Sequence, residues 1–155
     1  MSRIYIAEGG RQAIGRLIAT HVGENVRLDH DRDGAPLLVG STLHISISHS
    51  RRFAAIMLNE KVRCGIDIEE PRLDQLERVR SKFLTPAELA AKVDLLSAWT
   101  AKEAVFKASA TPGLGMSMID TLSTPGLALL PDGRKFHLQT IVTPDYTLTT
   151  ALPTV

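Results

Sequence analysis

The chain has 155 residues, 44% of them apolar and 23% charged, a globular composition with length for one sizeable core, so two small lobes fit but two independent domains do not. A net charge of +1 gives no reason to expect nucleic acid as a partner, although residues 1–63 carry nine Lys/Arg against six Asp/Glu, a local excess suited to an anionic ligand. One cysteine, Cys64, excludes an intrachain disulfide, a redox motif and a cysteine-rich metal site, and no apolar run approaches the ~18 residues that span a bilayer.

In chain order, RIYIAE (3–8) is predicted as a short strand. RQAIGRLIATHV (11–22) is the first helix: Ile14, Leu17, Ile18 and His21 recur at helical spacing, flanked by Arg11 and Arg16. LDHDRDGAPLLVG (28–40) reads as a polar turn rich in Asp, Gly and Pro. LHISISHS (43–50) then alternates, turns at Ser50-Arg51-Arg52 into FAAIML, and turns again at Asn59-Glu60-Lys61 into Arg63–Glu69. Residues 43–69 are therefore expected to form an antiparallel meander with CGIDIE at its far end, closed by Pro71. From Leu73 the period is helical. LDQLERVRSKFL places Leu73, Leu76, Val79, Phe83 and Leu84 on one side, and TPAELAAKV opens on an N-cap threonine followed by proline at N1. Helix is expected, with breaks, to about Ala110; TPGLGMS is a loop, and KFHLQTIV and YTLTTAL are the last two strands. The chain shows no signal-peptide pattern, and a reducing cytoplasm is the expected location, with neither export nor membrane association.

Three clusters resist a purely structural reading. In CGIDIEE, strand parity puts Val62, Cys64, Ile66 and Ile68 on a core face and Arg63, Gly65, Asp67 and Glu69 on the other. Two acids so placed, about 7 Å apart, repel unless a cation or donors lie between them, and the preceding glycine leaves room for a close approach. The plainer alternative is a strand end with solvated acids. In WTAKEAVFKA (99–108), Trp99, Lys102, Glu103 and Phe106 fall in one helical sector, so charges border an aromatic stripe; Glu103 and Lys107 at i, i+4 also satisfy the pattern of a surface ion pair worth only ~0.3–0.5 kcal/mol. In ISISHS, His49 ends an apolar row beside Ser48, Ser50, Arg51 and Arg52, which suits either a satisfied structural histidine or a grip on phosphate oxygens.

Together, in this order, ISISHS, GIDIE, FLTPAE and WTAKEAVFK resemble the phosphopantetheinyl transferase superfamily, in a shortened two-lobed form. The resemblance implies an α+β fold of antiparallel sheets with packed helices, a single domain over 1–155 made of two small pseudo-related lobes, about 1–60 and 61–155. It implies a holo-[acyl-carrier-protein] synthase, or 4′-phosphopantetheinyl transferase, that moves phosphopantetheine from coenzyme A to a serine of an acyl or peptidyl carrier protein and releases adenosine 3′,5′-bisphosphate with Mg2+ as cofactor. Carried over motif by motif, Asp67, Glu69 and Glu103 would be the metal-binding acids. Glu103, with Lys107 and Asp67, would serve catalysis; Ser48, His49, Lys102, Lys107 and Arg11 would hold coenzyme A. Glu88 matches another characteristic acid, without an assigned role, and Trp99 is expected as a packing anchor.

The chain also departs from the family. Gly34-Ala35-Pro36 lacks a lysine often found between that glycine and proline, and the upstream basic segment of longer members does not precede the first helix. A cleft lying within one chain makes a monomer the expectation. Competing readings are a catalytically weak binder of carrier protein or coenzyme A, favoured by the short N-terminus, and a magnesium-dependent nucleotide pyrophosphate hydrolase using the same acids.

Overall fold

The computed structural model describes residues 1–155. Strand β1 (Ser2–Glu8) leads through a 3-10 turn, Gly10–Gln12, into helix α1 (Ala13–His21), where Ala13, Ile14, Leu17 and Ile18 share one buried face. The helix begins later than the spacing predicts because Gly9 and Gly10 both take positive φ and bend the chain first. Residues read as a polar turn contain a small hairpin, β2 (Arg27–His30) and β3 (Pro36–Val39). Its polar residues belong to the turn itself, where Asp31 Oδ1 accepts the N–H groups of Asp33 and Ala35. Only Leu38 is buried from the hairpin, which is why no alternation announced it.

Strands β4 (His44–His49) and β5 (Phe53–Asn59) form the expected hairpin, and β1 joins the other edge of β5. Central β5 is buried throughout. Its Ala54, Ile56 and Leu58 pack under α1, while Phe53, Ala55 and Met57 face Cys64, Ile66, Ile68 and Leu148 of the second sheet. Burying Ile66 and Ile68 fully contributes ~1.5–3 kcal/mol each.

Strand β6 (Gly65–Glu69) departs from the expected meander. It pairs with β9 (Thr147–Pro153), not with β5, in a second antiparallel sheet of order β6-β9-β8-β7 that includes β7 (Leu127–Leu129) and β8 (Lys135–Val142). The other edge of β6 lies along β4, joined by side chains in place of a backbone ladder. Ser46 Oγ accepts the Ile66 N–H and Ser48 Oγ accepts the Ile68 N–H, both at 3.0 Å. The matching offset in both bonds shows the two strands running parallel and side by side, whereas a meander would keep β5 between them.

Helices α2 (Leu73–Phe83), α3 (Pro86–Ala91) and α4 (Leu95–Ser109) follow. Thr85 caps α3 as expected, with Glu88 completing a capping box. Helix α4 lies on the β6–β9 face, and Gly65 makes that approach possible: a Cβ there would stand 1.8 Å from the Ala104 carbonyl oxygen. Ala104, Val105 and Ala108 pack on Ala128, Phe136 and Ala151, and Leu76, Phe83 and Leu84 pack on Leu95 and Ala98. The result is an α+β arrangement of antiparallel sheets with packed helices, as the sequence predicts, and the chain crosses between sheets over residues 60–64.

Candidate active site

The helix-facing side of β6 carries Gly65, Asp67 and Glu69, because alternate residues of a strand share a face. Asp67 is buried at 4% exposure. Its Oδ1 accepts the Ser48 hydroxyl at 3.1 Å and stands 3.5 Å from Lys107 Nζ, while Oδ2 is buried without a hydrogen-bond partner. Burial pushes its carboxyl up to about 7; Lys107 works against the rise, the charges of Glu69 and Glu103 add to it, and Ser48 opposes it.

Glu103 on α4 is likewise raised, first by burial and then by Glu69, with Lys107 and Arg72 opposing. Glu69 is held from the helices: Oε1 accepts Trp99 Nε1–H at 3.2 Å and an Arg72 Nη2–H at 3.3 Å. Trp99 also packs edge-on against Phe83, the anchoring expected of it. Lys107 Nζ sits at the seam of the two sheets, donating to the carbonyls of Ile47 on β4 at 3.0 Å and Ile66 on β6 at 2.8 Å. Asp67, Glu69, Glu103 and Lys107 are thus brought into one electrostatic neighbourhood.

Hard carboxylate oxygens, one of them a buried orphan, and burial joined by mutual repulsion that raises two of the three acids are the donor chemistry that a divalent ion such as magnesium takes. The donor set therefore fits. The three acids do not, however, converge on one point as they stand; Lys107 beside Asp67 and Arg72 beside Glu69 take the cation's part.

Other expected site residues have different surroundings. The Ser48 hydroxyl is turned inward and committed to Asp67 and the Ile68 N–H. His49 is exposed at the end of β4. Arg11 is exposed in the turn before α1, and the Gly9 and Gly10 N–H groups both bond the Arg52 carbonyl at 2.8 and 3.1 Å, so that turn sits against the loop that follows His49. Lys102 is not brought to the acids. It is wholly buried, with Nζ 2.7 Å from Glu88 Oε1 and donating to the carbonyls of Met116 and Ile119 at 3.0 and 2.6 Å, which leaves no donor for a ligand.

Glu88 is the hub of that lock. Oε1 also accepts the Thr85 N–H, and Oε2 accepts the N–H and hydroxyl of Thr121. Burial pushes its carboxyl up, but the donors together hold it below the usual carboxylate range. Sequence reasoning missed Arg72 and Ser46. The signal for Arg72 was present: a cation at a helix start just after Pro71, where a capping acceptor is favoured.

A family model described as 4′-phosphopantetheinyl transferase superfamily matches residues 63–151, a span that holds Asp67, Glu69, Glu88, Lys102, Glu103 and Lys107 but neither His49 nor Arg11. No curated protein matches the chain.

Proposed function

The chain belongs to the 4′-phosphopantetheinyl transferase superfamily, and from that premise we propose that it transfers 4′-phosphopantetheine from coenzyme A to a serine of an acyl or peptidyl carrier protein with Mg2+ as cofactor. The observation that carries this reading is Asp67, a buried carboxyl with one orphaned oxygen, raised to about 7 and backed by Glu69 and Glu103. Buried like-charged acids are costly without a cation, and a protein that only bound a partner would have no use for them.

In the proposed reaction the serine oxygen bonds the phosphorus that carries pantetheine. The P–O bond to the nucleotide phosphate breaks, and adenosine 3′,5′-bisphosphate leaves with its electron pair. Magnesium, when bound by Asp67, Glu69 and Glu103, would neutralise the pyrophosphate charge and make the phosphorus more electrophilic. Glu103 accepts the serine proton, a task that its upward shift suits by bringing it nearer neutral pH. Lys107 turns its ammonium from the two seam carbonyls toward the phosphates, keeping Asp67 in reach. His49 and Arg11, exposed along the adjoining edge, contact the nucleotide phosphates. Ser48 orients Asp67, and Lys102 supports the fold instead of touching coenzyme A.

One observation favours the rival reading, a weak binder: Lys107 and Arg72 already neutralise part of the acid cluster. Incubation with coenzyme A, magnesium and a panel of apo carrier proteins, read by intact mass, separates the two. The transferase adds one phosphopantetheine to at least one carrier; binding of coenzyme A with no mass gain on any carrier leaves the binder.

A further inference from the structure

The start of α2 breaks a rule that the start of α3 obeys. Helix α3 has a threonine N-cap, but α2 has Arg72, whose guanidinium offers no acceptor to the free N–H groups and sets a positive charge at the positive end of the helix dipole. Helix formation does not select arginine here. Asp74 in the first turn offsets the charge at this end but supplies no cap to it, and a cap position given to a side chain that cannot cap points to a task outside the helix.

Arg72 turns back over the acid cluster. Its backbone, at φ −151° and ψ 52°, stays outside the helix; Nη2 reaches Glu69 Oε1 at 3.3 Å, and the guanidinium carbon lies 5.3 Å from the centre of the Trp99 ring. The grip is weak in kind. It is one long bond to one oxygen, not a bidentate fork; the bond to Gln75 Oε1 is 3.5 Å, and Nε is buried with no acceptor. Glu69 Oε1 meanwhile keeps its bond from Trp99, so the carboxylate would stay oriented if the guanidinium left.

We propose that Arg72 is the resident counter-ion of Glu69, displaced when a divalent cation takes the carboxylates, so that Arg72 sets the metal affinity of the site. The proposal rests on the metal-dependent reading above. When a metal holds Asp67, Glu69 and Glu103 as carboxylates, the formal charges of these three against Lys107 and Arg72 sum to one negative. Withdrawing the guanidinium makes it two, the charge that a divalent ion matches. The orphaned Nε fits a side chain whose present placement is one of two.

Arg72→Ser removes the guanidinium and supplies a hydroxyl of the kind an N-cap favours, so the fold should hold. Magnesium chloride titrated calorimetrically without coenzyme A should bind at least ~3-fold more tightly to this variant than to wild type, the scale of a partly exposed ion pair removed from competition. Arg72→Lys, which keeps the charge, should stay nearer wild type. Trp99 is the single tryptophan and supplies a second readout: magnesium should shift its emission in wild type as the guanidinium leaves the ring, and Arg72→Ser should show most of that shift before metal is added. Weaker or unchanged magnesium binding in Arg72→Ser would overturn the proposal while leaving the transferase reading intact. A wild type that binds no magnesium either alone or with coenzyme A would overturn both.

Discussion

Lys102→Met removes the buried ammonium of α4 while keeping an unbranched side chain. In wild type this ammonium and the Glu88 carboxylate are both wholly buried, 2.7 Å apart. The variant leaves the buried Glu88 with its Thr85 and Thr121 donors but no counter-charge, and two carbonyls, those of Met116 and Ile119, without their donor. Breaking a buried pair from one side costs ~3–5 kcal/mol. At ~2–4 °C per kcal/mol for a chain of this size, the melting temperature should fall by ~6–20 °C, read by circular dichroism at pH 7. The pH dependence adds a signature. Wild-type Glu88 is held low, so its contribution is present above the unfolded carboxylate range and is lost as pH falls through the folded value; in the variant burial raises Glu88, so acid relieves the penalty. The gap between the two proteins should therefore narrow on acidification, and Lys102→Met/Glu88→Gln should recover part of the loss. An unchanged melting temperature together with a ~10-fold higher KM for coenzyme A would refute this reasoning and return Lys102 to the ligand contacts.

Asp67→Asn should remove a pH dependence of the metal-free protein: a carboxyl raised from 3.8 to about 7 favours the fold while protonated, and that contribution disappears as pH rises through about 7. Melting scans between pH 4 and 8 should show wild type losing stability from about 3.8 to about 7 and levelling above it, and the variant losing less over the same range, with magnesium-dependent transfer abolished. Glu103→Gln should lower turnover by at least ~100-fold while coenzyme A binding persists, the scale of a lost general base, as single-turnover kinetics will show. Gly65→Ala should cost more than ~2 kcal/mol in urea unfolding, because its Cβ meets backbone and only a shift of α4 can relieve it.

Much of this arrangement is legible in the sequence where one local rule decides. Alternation marks β4, a continuous apolar run marks β5, and Thr85-Pro86 with Glu88 marks the start of α3. Legibility fails where a partner lies far along the chain. Nothing in GIDIE says that its edge is met by serine hydroxyls on one side and β9 on the other. Lys102 and Glu103 are adjacent and differ by one helical step, yet one turns to Glu88 and the other to the acids. Their roles depend on what covers each flank of α4, which helical spacing does not encode. Arg72 escaped notice for the opposite reason, since its poor fit to the helix start was visible but its target, Glu69, required the turn at Pro71 to be built.

The serine seam between β4 and β6 has a mechanical consequence. Apolar contact between Phe53, Ala55 and Met57 and the residues of the second sheet attracts without direction, and so tolerates sliding. The hydroxyls of Ser46 and Ser48 do not: each meets one particular N–H, and together they act as two dowels that fix how far one sheet travels along the other. The second dowel also carries Asp67, so a slip of the joint by one residue would unseat the carboxylate along with the alignment.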